Sequence, residues 1–148
     1  MMIAALRGAV YEALKREEET LSMYERFAKE AKDKALQDFF TAMANDVKDD
    51  IHTLKNLNLH SIVKFGLAIK FHVRTCSIDE QSISTVQDKA GAGEILKLAI
   101  DEINADIEYY EHIAEHSLFP EVKRLFRIIS DKELEHKCKL KALQDLLM

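Results

Sequence analysis

Tryptophan is absent from this 148-residue chain, proline occurs once and glycine four times. The two cysteines, Cys76 and Cys138, form no Cys-x-x-Cys pair. They are too few for a disulfide framework or a four-cysteine metal site, so a reducing, cytoplasmic setting is the expectation. No apolar run approaches the roughly 20 residues needed to span a bilayer. The opening MMIAALRGAVYEALK is interrupted by Arg7 and Glu12 and shows no signal-peptide hydrophobic region. Positive charge is in deficit as well. A net charge of −5 gives no electrostatic reason to expect nucleic acid or an anionic membrane surface as a partner. What remains is 47% hydrophobic and 32% charged residues, the composition of a soluble, helix-rich protein. The length suits one domain, residues 1–148, with a real core.

The chain repeats itself. Shifted by 86 residues without gaps, Ala13 falls on Ala99, Tyr24 on Tyr110, Glu25 on Glu111 and Ala28 on Ala114. Phe40 falls on Phe126, Leu54 on Leu140, Lys55 on Lys141 and Leu57 on Leu143. The late copy carries Glu133-Leu-Glu-His136, where the early copy has Val47-Lys-Asp-Asp50.

Helical periodicity marks four segments, about 3–32, 35–57, 93–117 and 120–147. In the second, Phe40, Met43, Val47, Asp50, Leu54 and Leu57 recur at spacings of three and four. Phe126, Ile129, Glu133, His136, Leu140 and Leu143 do the same in the fourth. Such spacing lays each set along one stripe facing a core. The first segment offers Val10, Ala13, Glu17, Leu21, Tyr24 and Ala28, and the third Leu96, Ala99, Ile103, Ile107, Tyr110 and Ala114. Pro120 stands where it can start the fourth helix. Each half therefore reads as a helical hairpin, 3–57 and 93–147. The 58–92 stretch between them is too long for a simple up-down bundle. It suits an all-α, ferritin-like four-helix bundle with one long crossover. The crossover's apolar run, Ile62 to Ile69, is expected to cap the bundle or meet a second subunit, and Gln81 to Gly93 to be mobile.

Glu-x-x-His on a helix sets a carboxylate and an imidazole one turn apart on the same face, where they can close on one metal ion or bridge two. Glu133 and His136 occupy core-stripe sites where apolar residues are the norm, and Glu17 interrupts the first stripe similarly. Other candidates fit less well. Asp46, Asp49 and His52 fall off the stripe onto a solvated face. A shifted register would make Asp49-Asp-Ile-His52 a ligand pair, at the cost of turning Phe40 and Leu54 away from the core. His112 and His116, at i and i+4, read as exposed helix histidines. His60 and His72 stand in the crossover without evident partners. Cys138 lies about 200° around the helix from His136 and reads as a small packing residue.

The stretch Pro120-Glu-Val-Lys-Arg-Leu-Phe126-Arg-Ile-Ile129-Ser130-Asp-Lys-Glu133-Leu-Glu-His136 resembles the second helix of a rubrerythrin-type repeat. Ala13-Leu-Lys-Arg-Glu17, followed by Tyr24 and Ala28, is similar to the first. In that ferritin-like superfamily a di-iron centre takes one Glu from each of two helices and Glu-x-x-His from each of the others. By position, the resemblance makes Glu17, Glu133 and His136 metal ligands. Val47 and Asp50 stand where the second helix would supply Glu and His, and Ile103 where the third would supply Glu. Asp50 can still offer a carboxylate, and Asp106, one turn beyond Ile103, can reach in. In the family, Tyr24 and Tyr110 would lie near the metal.

The resemblance thus implies iron or another divalent metal, one ion rather than two. Were two irons bound, it would imply peroxide or dioxygen reduction, with electrons from an external donor because no four-cysteine site is present. Two rivals stand beside this reading. One is a metal-free bundle acting as an interaction or assembly module, and the other an iron carrier. A homo-oligomer, most simply a dimer, fits all three, because the crossover's apolar run needs covering.

Overall fold

Apolar residues at helical spacing with few breakers produce long helices, and the computed structural model, which describes residues 2–66 and 76–147, has four of them. α1 spans Met2–Glu30, α2 Lys34–Lys55, α5 Lys89–His116 and α6 Pro120–Leu147. Among the described residues of the crossover lie two short helices, α3 (Leu59–Phe65) and α4 (Glu80–Ile83). No strand occurs among the described residues. α1 packs most extensively on α2, and α5 on α6. The fold is the all-α, ferritin-like bundle of two hairpins that the repeat requires.

Short polar side chains set the helix boundaries. Asn58 accepts from Ser61 N, Asp79 from Ser82 N and Asp88 from Gly91 N, which satisfies amides that have no partner within the helix. Gly66 ends α3 at φ +92°, a conformation that costs little only without a Cβ. Asp33 precedes α2 but does not cap it with its side chain. Its carboxylate instead accepts from the amides of Gln87 and Asp88, at 3.1 and 3.2 Å, and so ties the first turn to the start of α5.

The crossover departs from expectation in two ways. Gln81–Gly93 is anchored, because Ile83 and Val86 are each only 4% exposed and α5 begins at Lys89. The alternation of polar and small residues there conceals those two anchors. Of the apolar run, Ile62 is buried against the core, whereas Leu67 to Ile69, like His72, lie outside the described residues.

Cys138 is not a packing residue. It is exposed and joined by a disulfide to Cys76, so the crossover is bonded to α6. The two residues are 62 apart in sequence, and spacing alone gave no sign that the topology would bring them together.

Two apolar clusters fill the bundle. One gathers Phe27, Leu36, Phe40, Leu96 and Leu143, and the other Leu6, Val10, Leu54, Tyr110 and Phe126. Between Ala13 of one cluster and Tyr24 of the other lies Glu17. Between Ile129 and Leu140 lie Glu133 and His136. A polar layer therefore crosses the middle of the core.

Candidate metal centre

Burying ionisable groups in that layer is costly unless each finds a partner, so their partners define the site. Glu17, Glu133 and His136 are 2%, 1% and 1% exposed, and Asp50 and Asp106 are buried with them. The Glu17 and Glu133 carboxyls lie close enough to shift each other's titration and to hydrogen-bond once one of them is protonated. Burial pushes Glu17 up to about 7, opposed by its hydrogen bond with Glu133 and reinforced by the charge of Asp50. Burial, followed by the charge of Glu17, holds Glu133 well above the usual carboxyl range. Tyr110 Oη donates to Glu17 Oε1 at 3.2 Å. Burial also keeps the Tyr110 and Tyr24 phenols protonated, with the nearby carboxylates acting in the same sense.

The other three expected ligands are placed differently. Asp106 accepts from Arg16 Nη1 at 2.8 Å and from Thr20 Oγ1 at 3.0 Å, while Arg16 also stacks 3.5 Å from the centre of the Tyr109 ring. Burial raises Asp106, and these two donors counter it. His136 Nε2 lies 3.8 Å from Asp46 Oδ2, and Lys139 Nζ lies 3.6 Å from the same oxygen. The imidazole meets Tyr24 edge-on at 5.7 Å between ring centres. Asp50 lies close enough to bias the titration of Glu17.

The structure therefore brings Glu17 and Glu133 into contact, sets Asp50 nearby, and engages His136 and Asp106 with other groups. Among the described residues, no three His, Cys, Asp or Glu side chains group so as to hold an ion as they stand. Glu17 Oε2, Glu133 Oε2, His136 Nδ1 and Tyr24 Oη have no hydrogen-bond partner.

Sequence reasoning missed Asp46 and Thr20. Asp46 sits at the stripe's edge, 22% exposed on its side chain, and not out on the solvated face assigned to it. Thr20 is buried in place of the half-buried Leu21. The repeat held a signal for Thr20, since Thr20 and Asp106 are 86 residues apart and bond each other as equivalents. The register-shifted alternative fails, because Phe40 and Leu54 are buried while Asp49 and His52 are exposed.

The residues present do not suit a two-metal centre. Val47 and Ile103, each 0% exposed, fill two ligand positions with aliphatic side chains, and Asp106 is held by Arg16 and Thr20. Two carboxyls, an imidazole nitrogen and a phenol each keep an unmatched polar atom in the buried layer.

A duplicated helical bundle with a carboxyl-lined middle is the class these features define. The model of the family described as Rubrerythrin matches residues 9–144. The chain belongs to the rubrerythrin family. No curated protein and no solved structure matches it.

Proposed function

We propose that this protein binds a single divalent metal ion of the iron type between α1 and α6, with Glu17 and Glu133 as carboxylate ligands and His136 as the nitrogen ligand. The observation that carries this reading is the set of unmatched polar atoms on Glu17, Glu133, His136 and Tyr24 within one buried layer. Such groups ordinarily find partners, and a cation takes up carboxylate and imidazole lone pairs together. Binding requires the proton that burial holds on the carboxyl pair to leave and would use His136 Nδ1, the nitrogen without a partner, while Nε2 faces Asp46. Tyr110 orients Glu17 through its hydroxyl, and the apolar clusters on both sides exclude water.

An iron ion at this position would supply one-electron chemistry. Peroxide or dioxygen reduction by paired ferrous ions lacks its second ligand set at Val47 and Ile103, so sensing, storage or a structural role suits the centre better. Any redox cycle would draw on an external donor. No described helix is long and apolar enough to cross a membrane. A cytoplasmic location agrees with the metal reading provided Cys76 and Cys138 spend part of their time as thiols. The dimer expectation still rests on the crossover's apolar run.

A second reading, a metal-free interaction module, is favoured by one observation: Glu17 and Glu133 lie close enough for a single proton between them to satisfy both. Metal content decides between the two. Protein loaded anaerobically with ferrous iron and desalted should retain close to one ion per chain, and Glu17→Gln with Glu133→Gln should abolish it. Retention by the double variant would refute the ligand assignment. No retention by the parent would leave the metal-free bundle.

A further inference from the structure

The disulfide has no part in the centre described above, and its position points to chemistry of its own. Cys76 and Cys138 are the only cysteines in the chain, and both are exposed. A cystine open to solvent can be reached by an attacking thiolate, and exposed cystines are the labile, regulatory or catalytic ones. The chain after Cys76 runs over a groove between α2 and α6. There Ser77, Asp79, Ser82 and Ile83 face Phe39 and Met43 across a cavity of about 310 Å³ whose wall includes Lys139, the residue after Cys138. α4, four residues long, is held on α2 and α6 through the buried Ile83, while Glu80, Gln81 and Ser82 are exposed. Lys139 reaches Asp46, and Asp46 reaches His136, so this groove borders the edge of the central layer.

We propose that Cys76–Cys138 is a thiol–disulfide exchange site with dithiols as its substrate class, and that reducing it frees residues 76–82, ahead of the buried anchors Ile83 and Val86, from α6 and opens the groove beneath them. A dithiol's thiolate attacks one cystine sulfur, forming a mixed disulfide and expelling the other cysteine as a thiolate that takes up a proton. The second thiol of the reductant, deprotonated, then attacks the mixed disulfide, releases the remaining cysteine to be protonated, and closes the reductant's own disulfide. Two electrons and two protons pass to the protein, and the dithiol is oxidised by two electrons. The inference stands whether or not the centre holds metal.

The test uses the full chain, purified in air and exposed under native conditions to dithiothreitol. Thiols are alkylated and counted by mass, and hydrogen exchange is followed in parallel. The untreated protein should take up no alkyl group and the treated protein two within minutes. Exchange across residues 77–82 should then quicken at least tenfold, with the anchored 83–88 stretch, α1 and α5 unchanged. Cys76→Ser should exchange quickly there from the start and give no response to the reductant. Free thiols in the untreated protein, a cystine reduced only after global unfolding, or unaltered exchange across 77–82 after reduction would each overturn the proposal.

Discussion

The hairpins α1–α2 and α5–α6 share one register at an offset of 86 residues, yet they furnish the centre unequally. α6 places Glu133 and His136 where α2 has Val47 and Asp50, and α1 places Glu17 where α5 has Ile103. The tyrosines expose the asymmetry. Tyr110 donates to Glu17, while the equivalent pairing would set Tyr24 against Ile103, which offers no acceptor, and the Tyr24 hydroxyl has no partner. The apolar stripes of the two hairpins correspond, but their donor groups do not. Packing therefore keeps the two hairpins in one register whether a stripe position is acidic, as at Glu17, or aliphatic, as at Ile103.

Restoring symmetry should have the largest effect. Ile103→Glu adds another carboxyl beside Glu17 and Glu133, in a layer where Asp50 and Asp106 are already buried. In metal-free protein it should cost up to about 5 kcal/mol, as for a buried charge without compensation, read from urea denaturation. Combined with Val47→Glu and Asp50→His, it should raise retained iron from one ion per chain to two. An Ile103→Glu variant as stable as its parent without metal would mean that the layer has charge-balancing capacity the structure does not reveal.

The hairpins differ again in that only the second is bonded to the crossover. Closing a loop of 62 residues stabilises by about 4 kcal/mol in the chain-entropy account, by restricting the unfolded chain. Cys76→Ser should lose that amount under oxidising conditions and nothing relative to the parent treated with dithiol. A loss seen equally in both conditions would point to packing at position 76 and not to the bond.

The third effect is on pH dependence. Glu17 is raised from 4.5 to about 7, so the native state holds a proton that the unfolded chain gives up earlier. Stability from this group is fully present below about pH 4.5 and is lost as pH rises through about 7, roughly 3 kcal/mol in all. Metal-free protein should weaken over that window, and Glu17→Gln should flatten the slope. Bound metal should reverse the trend, because ligation displaces the proton.

The sequence made the bundle legible because its period and its repeat are carried by many residues at once. Phe40, Leu54, Phe126 and Leu140 agree on one register, so the position of the polar layer followed from a stripe of apolar neighbours. Partner choice within that layer was not legible. Asp106 bonds to Arg16 and Thr20, and His136 approaches Asp46, because side-chain direction and competing donors decide what spacing leaves open. The disulfide was invisible for a similar reason. One of its cysteines sits in the crossover, where no periodicity predicts the path of the chain.

The smallest effect is the most direct probe of the asymmetry. Tyr24 and Tyr110 are repeat equivalents, both 0% exposed, so removing either hydroxyl deletes the same atom from a comparably enclosed place. Tyr110→Phe takes from Glu17 a buried donor and should cost about 1–2 kcal/mol, the penalty for leaving a buried acceptor unmatched. Tyr24→Phe removes a hydroxyl that already lacks a partner, so no bond is broken and an unmet desolvation cost disappears. It should be neutral or stabilising, within about 0.5 kcal/mol of the parent or better. In metal-free protein the two denaturation midpoints should move apart. Equal losses would mean that Tyr24 has an acceptor in solution and that the two halves of the centre are more alike than Ile103 implies. Loading with metal sharpens the contrast: if the ion draws on the Tyr24 side of the layer, Tyr24→Phe should weaken metal retention while leaving metal-free stability unchanged.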